Sequence, residues 1–265
     1  MIFSRRSFAG LAMAIALAAA GNAARAADAL NVGAYPTNPP FETKLPDGSF
    51  EGLEVDIVTE AAKRAGMTVT IADYGFQALF AAVASKRIDV AISTITITAE
   101  RLKSVAFTQP YYDSDMGMAT KSDSALATVA DLKGKTVGYL SGSTAEKWVG
   151  DNKGSGGFAD TKGYKAQQDI FLDLAAGRID AMVSDIPGMQ YAFKTMKGLT
   201  VKDRIKTGEQ YGLMMGKDDP KLAKLNDALT AMKKDGTLAA MHQKWFGADA
   251  APGSSTLTEL PIPKG

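Results

Sequence analysis

Ala84-Ser85-Lys86-Arg87-Ile88-Asp89-Val90-Ala91-Ile92-Ser93 and Ala175-Ala176-Gly177-Arg178-Ile179-Asp180-Ala181-Met182-Val183-Ser184 lie 91 positions apart and share five of ten residues. Each reads as a helix end, a tight Arg-Ile-Asp turn and an apolar strand that stops at Ser. Two readings of this echo stand. Helix-to-strand turns of separate origin can converge on the same residues, or the chain can hold two similar α/β lobes. In the second reading each strand is followed at once by a polar residue, Thr94 in one lobe and Asp185 in the other. Open α/β sheets bind ligands outside the carboxyl ends of their strands. Two such ends set face to face would enclose a cleft.

Strand and helix signals alternate on both sides of the echo. Leu30 to Ala34 reads as a strand. Leu53, Ile57, Val58, Ala61, Ala62 and Ala65 fall at helical spacing, with Gly66 as the terminating glycine. Thr68 to Ile71 is β-branched and reads as a strand. Phe76, Leu79, Phe80 and Val83 mark a second helix, and Val90 to Ser93 a buried strand. The alternation continues with a strand over Thr136 to Tyr139, a helix over Phe171 to Ala176, a strand over Ala181 to Ser184 and a helix over Ile186 to Lys197. This predicts an α/β fold with mostly parallel sheets. Lys221 to Trp245 reads as helix interrupted at Gly236, and residues 248–265, rich in Pro, Gly and Ser, read as a flexible C-terminal tail.

Composition narrows the chemistry. The 265 residues are 46% hydrophobic and 22% charged, with 30 Lys and Arg against 29 Asp and Glu. A disordered or collagen-like chain is excluded. So near-neutral a balance argues against nucleic acid as a partner, because phosphate binding needs clustered basic charge. The absence of Cys removes disulfides, thiol nucleophiles, Cys-ligated metals and a thiol for lipid attachment. A single His, His242, leaves little for a His-based metal site or a Ser-His-Asp triad and reads as a surface or packing residue. No metal or cofactor is expected. Gly134-Lys135-Thr136 imitates the end of a phosphate-binding loop, but that motif needs Gly where Val129 stands. Gly154-Ser155-Gly156-Gly157 reads as a turn.

Residues 1–26 read as an export signal: Arg5 and Arg6 form a basic start, Leu11 to Ala20 an apolar run too short to span a bilayer, and Ala24-Arg25-Ala26 a cleavage site. A periplasmic location follows as an expectation. Ser4-Arg5-Arg6-Ser7-Phe8 suits twin-arginine export, and two arginines suit the general secretory route equally.

Three places carry binding chemistry. Ser93-Thr94-Ile95-Thr96-Ile97-Thr98 leaves a strand, and alternation sets Thr94, Thr96 and Thr98 on one side with their hydroxyls free to donate. Arg101 follows in a first helical turn, where a cation opposes the helix dipole. Bidentate capture of a carboxylate accounts for it, and so does pairing with a neighbouring surface acid. Gly142-Ser143-Thr144-Ala145-Glu146 starts a helix with a capping box; its free N–H groups can also hold an anion. Asp185 precedes Ile186-Pro187, so it serves either as a helix cap or as receiver of an ammonium group. Phe76 reads as core or as a pocket wall.

These residues, with Asn38-Pro39-Pro40-Phe41-Glu42, Gly52-Leu53-Glu54-Val55-Asp56-Ile57, Val105 to Tyr112, Leu132 to Gly138 and Lys244-Trp245-Phe246-Gly247, make residues 30–247 resemble the bacterial solute-binding proteins of polar amino-acid ABC uptake systems. The resemblance implies a two-lobed type II periplasmic-binding fold with two hinge crossings. Lobe 1 would hold residues 28–113 and 212–247, and lobe 2 residues 114–211. It implies that Arg101, Thr96, Thr94, Ser93 and Thr144 hold a ligand carboxylate and Asp185 its ammonium. Tyr35, Asn38, Phe76 and Leu140 would surround the ligand side chain. The implied partners are an amino acid and the membrane subunits of an ABC permease, with the receptor a monomer. Histidine- and lysine-binding relatives carry Asp and an aromatic where this chain has Tyr35 and Asn38, which disfavours a basic ligand. Two alternatives share the fold: a cyclohexadienyl dehydratase-like enzyme, which would need a general acid in the cleft, and a ligand-presenting subunit for a membrane sensor.

Overall fold

The computed structural model describes residues 28–265. The export signal expected over residues 1–26 lies outside the described residues. The first part of the chain runs β1 (Asp28–Ala34), β2 (Thr37–Asn38), β3 (Glu42–Lys44), β4 (Phe50–Glu51), α1 (Leu53–Arg64), β5 (Met67–Asp73), α2 (Phe76–Ala84), β6 (Val90–Ile92) and β7 (Val105–Phe107). A second part follows with β8 (Tyr112–Lys121), β9 (Thr136–Leu140), α3 (Thr144–Gly156), β10 (Asp160–Tyr164), α4 (Gln167–Ala175), β11 (Ala181–Asp185), α5 (Ile186–Ala192) and β12 (Leu199–Tyr211). The chain then returns through β13 (Met214–Gly216), α6 (Lys221–Lys234) and α7 (Thr237–Phe246).

Two five-stranded sheets result, in the orders β5-β1-β6-β13-β7 and β10-β9-β11-β8-β12. They have one design. In each, the first three strands are parallel and the last two run antiparallel to their neighbours. The expectation of mostly parallel sheets is thereby corrected to mixed sheets. Antiparallel β8 and β13 are entered from loops and not through a crossover helix, so the alternation of helix and strand signals did not reveal them.

Side-chain alternation packs both faces of each sheet. In the first, Val90, Ile92, Leu213 and Met215 join a core with α1 and α6, while Ala91 and Met214 join another with α2. In the second, Ala181 and Val183 pack under α3, and Met182 packs under α4. Fully burying one such aliphatic side chain contributes about 1.5–3 kcal/mol.

The echo is a repeated device. Arg87 N–H donates to Ala82 O and Arg178 N–H to Asp173 O, each at 2.9 Å. The isoleucine of each turn covers a glycine of the neighbouring strand. A Cβ on Gly33 would lie 2.5 Å from Ile88 Cδ1, and one on Gly138 2.6 Å from Ile179 Cδ1.

Strands β8 and β12 pair over their length down to Tyr112 opposite Tyr211, where the two rings stack at 5.8 Å against the first core. The register shifts between Ile205 and Glu209. Asp115 Oδ1 holds that irregularity by accepting from Thr207 and Gly208 N–H, both at 2.8 Å. His242 is a packing residue, its ring 4.8 Å from that of Phe246.

Two further expectations are corrected. The helix expected to run to Lys197 closes at Ala192, and turns carry the chain onward. Residues 248–265 do not form a loose tail. Ser255 N–H donates to Asp113 Oδ2 (2.7 Å), Thr256 Oγ1 to Tyr111 O (3.0 Å), and Lys233 Nζ to Thr258 O (2.9 Å). Composition misled because the segment is tied by hydrogen bonds to groups of distant elements, not by an apolar face of its own.

Candidate functional site

The carboxyl ends of β6 and β11 meet at a cavity of about 210 Å³ between the two sheets. All ten residues expected at a ligand site line it: Tyr35, Asn38, Phe76, Ser93, Thr94, Thr96, Arg101, Leu140, Thr144 and Asp185. The geometry of each wall follows from local structure.

Arg101 opens a short 3₁₀ turn over Arg101–Lys103. Its Nη1 donates to Thr96 O (2.8 Å) and its Nη2 to Gly142 O across the cleft (3.2 Å). The guanidinium sits 5.0 Å from the Phe80 ring centroid and 5.9 Å from that of Phe76. Among the described residues no carboxylate forms an ion pair with it, so the surface-pair reading does not hold. Burial pulls its pKa down to about 10, against the opposing pull of Glu209 and Asp185. The result is a cation fixed by neutral carbonyls and rings with no carboxylate paired to it among the described residues, which suits an incoming anion.

Thr98 is a correction. Its hydroxyl accepts from Arg101 N–H (3.2 Å) and closes the turn, and it does not line the cavity with Thr94 and Thr96. Alternation fails because Thr94 has φ +46°, a left-handed conformation that a β-branched residue adopts only under constraint. The constraint is Glu54. Both of its oxygens accept from Thr94 N–H, at 3.0 and 3.1 Å. Glu54 is itself placed by Gly52, φ +140°, where a Cβ would fall 2.1 Å from Phe41 O. Tyr111 donates its hydroxyl to Glu54. Glu42, fully buried alongside, is pushed well above the usual carboxylate range by burial and then by the charge of Glu54.

On the opposite wall Asp185 stands at the start of α5, yet its side chain makes no capping hydrogen bond. Its Oδ2 instead accepts from Thr94 Oγ1 across the cleft (3.5 Å). Burial raises its pKa well above the usual value; Glu209 raises it further, and Tyr211 and Arg101 pull the other way. Ser143 does cap α3, accepting from Glu146 N–H at 3.3 Å, while Glu146 reaches Gly142 N–H (2.7 Å). Thr144 is the first residue of that helix, on the wall beside Ser143 and Ala145.

Tyr35 also bridges the cleft, whereas the Asn38 hydrogen bond stays within one lobe. Gln167 N–H donates to the Tyr35 hydroxyl (2.9 Å), and Asn38 Nδ2 donates to Thr94 Oγ1 (3.2 Å). Phe76 serves both readings, being 6% exposed in the α2 core and lining the cavity. Leu140 packs against a core on each side.

Sequence reasoning missed several neighbours. Ser184, the repeat partner of Ser93, accepts from Gln167 Nε2 (2.9 Å), and the echo could have pointed to it. Phe171, Tyr191 and Met196 line the cavity from α4, α5 and the turn beyond. Glu209 is 6% exposed and its Oε2 has no hydrogen-bond partner, as is true of the Tyr211 hydroxyl. Both belong to the crossing strand β12, whose irregular register has no sequence signature.

The family model for bacterial extracellular solute-binding proteins, family 3, matches residues 30–248. The L-cystine-binding protein TcyJ of Escherichia coli (strain K12) is 34% identical over 224 residues, 83% of each chain. The histidine-binding periplasmic protein of Salmonella typhimurium is 33% identical over 257 residues, covering 92% of this chain and 99% of that one. An ancestral arginine-binding protein bound to arginine superposes with a TM-score of 0.78 at 34% identity, covering 83% of this chain and 98% of that one. A Streptococcus pneumoniae ABC uptake transporter substrate-binding protein with bound histidine gives 0.79 at 26% identity, covering 84% and 94%. The fold, the matched span and these identities agree: the chain belongs to the bacterial extracellular solute-binding proteins, family 3.

Proposed function

We propose that this protein captures one α-amino acid between its two lobes and delivers it to the membrane subunits of an ABC importer. The observation that carries the reading is the placement of Arg101 and Asp185. They come from opposite sheets, line one cavity and make no ion pair with each other. A zwitterion presents the matching pair of charges. In this reading Arg101 takes the α-carboxylate, helped by Ser93, Thr94, Thr96 and Thr144, and Asp185 takes the ammonium. The lobes, parted near residues 113 and 212, swing about β8 and β12, and a ligand held by both favours the closed state. The contacts Thr94–Asp185, Arg101–Gly142 and Tyr35–Gln167 close the cleft from both sides.

The relatives support each part. They include cystine-, arginine- and histidine-binding proteins, among them an ABC transporter arginine-binding protein and periplasmic proteins of Escherichia coli and Salmonella. All of these are binding proteins by name, which favours a receptor over an enzyme. We place the protein in the periplasm as a monomer, exported by its first 26 residues.

The test is mass spectrometry of small molecules released from freshly purified protein, followed by a thermal-shift panel of α-amino acids. A ligand at 100 times its Kd adds about 2.7 kcal/mol to stability, so the correct one raises the melting temperature clearly. No shift with any α-amino acid would overturn the reading.

A further inference from the structure

We infer that the ligand is an α-amino acid with an uncharged side chain, because the cavity spends its two charged side chains on the ligand's backbone and offers none to the rest. The inference rests on the reading above, in which Arg101 and Asp185 hold the α-carboxylate and ammonium. Among the described residues these are the charged side chains on the cavity wall. Glu209 does not line the cavity; its influence falls on Asp185 and Arg101, at the end that receives the ligand backbone.

The space left for the side chain lies along α5 and beyond. Ala192 is seven residues after Asp185 on this helix, about 10 Å at 1.5 Å per residue. That end is walled by Leu140, Phe171, Tyr191, Ala192 and Met196. Its polar members are uncharged. Gln167 is already engaged, through its N–H with Tyr35 and its Nε2 with Ser184. Gln168 and Thr195 are exposed residues that can offer only neutral hydrogen bonds. Lys194, whose ammonium lies 5.3 Å from the Tyr191 ring centroid, lines a neighbouring groove instead.

A guanidinium or ammonium at this end would gain no carboxylate to offset the water it gives up to the apolar wall, and a side-chain carboxylate would gain no cation. An aliphatic, thioether or aromatic side chain leaves water for an apolar wall and loses nothing. An uncharged amide can use Gln168 or Thr195.

The test is isothermal titration of the ligand-stripped full-length protein at one pH with leucine, methionine, phenylalanine, glutamine, arginine, lysine and glutamate. The best uncharged amino acid is expected to bind at least 100-fold more tightly than any charged one. A smaller gap, or a reversed order, overturns the inference and leaves the amino-acid receptor intact. Failure of every amino acid to bind would remove the receptor reading and the inference with it. A second measurement locates the side-chain end. Met196→Asp, at a partly exposed position, is expected to raise arginine affinity at least tenfold, and an unchanged arginine affinity would contradict the placement.

Discussion

Asp89 and Asp180 do the same work in the two lobes. Asp89 Oδ2 accepts from Asn31 N–H at 2.8 Å, and Asp180 Oδ2 from Thr136 N–H at 2.8 Å. Their own N–H groups donate back to the same strands, at 2.8 and 3.0 Å. The likeness holds through Ser93 and Ser184 and ends one residue later. Thr94 turns left-handed over Glu54 and leads to the 3₁₀ turn of Arg101, whereas Asp185 keeps an extended backbone (φ −65°, ψ 130°) and enters α5. One scaffold used twice thus sets a guanidinium on one side of the cleft and a carboxyl on the other. In the proposed function recognition is divided at the strand ends, and the turns beneath them serve the fold.

The division can be broken first at the cation. Arg101→Ala leaves a bound carboxylate buried and unpaired, costing on the order of 2–5 kcal/mol, a roughly 30- to 3000-fold loss of affinity. The ligand-free protein should unfold at nearly the wild-type temperature, because removing a buried cation that has no ion-pair partner among the described residues relieves a desolvation cost that offsets the loss of its two carbonyl hydrogen bonds. Titration calorimetry and thermal unfolding check the two halves of this prediction, and affinity retained within threefold contradicts it.

The anion comes next. Asp185→Asn removes a hydrogen bond between charged groups, worth about 1.5–3 kcal/mol, or roughly 10- to 150-fold in affinity. The pH dependence has a definite sign. The Asp185 carboxyl is raised in the ligand-free protein, by burial and then by Glu209, while the ligand ammonium needs the ionised form. Affinity should therefore fall as pH drops below that raised value, by up to tenfold per unit, and level off above it. Asp185→Asn should abolish this slope. Calorimetry over a pH series rising from the ordinary carboxylate range measures it, and a flat wild-type profile would count against Asp185 as the ammonium site.

Changes beneath the strand ends should move stability and spare recognition. Gly33→Ala and Gly138→Ala each push a methyl into the isoleucine of the adjoining turn. Each should cost about 1–3 kcal/mol by overpacking, and the two losses should be alike if the lobes share one design. Denaturant unfolding measures both. The smallest contrast is between the aspartates. Asp180→Ala loses one hydrogen bond worth about 1 kcal/mol. Asp89→Ala should cost a few tenths of a kcal/mol more, since Asp89 also pairs with Lys221 at 2.6 Å.

The same comparison shows what could be read from the amino acids. The turns were legible because Arg-Ile-Asp followed by apolar residues needs only local geometry. Arg101 and Asp185 were legible as charges next to strand ends, although each had an equally good structural reading until its neighbours were known. Three features stayed hidden because they depend on distant chain. The conformation of Thr94 comes from Glu54, forty residues earlier. Glu209 owes its place behind Asp185 to an irregularity in β12 that Asp115 holds. Residues 248–265 are ordered by Asp113, Tyr111 and Lys233, which no local composition could anticipate.

In the proposed function Arg101 and Asp185 grip opposite ends of one small zwitterion. The direct test titrates the unaltered protein with its best-binding amino acid, then with the matching amine that lacks the carboxylate and the matching acid that lacks the ammonium. The intact amino acid is expected to bind at least 100-fold more tightly than either half. Binding of either half within tenfold of the whole would contradict it.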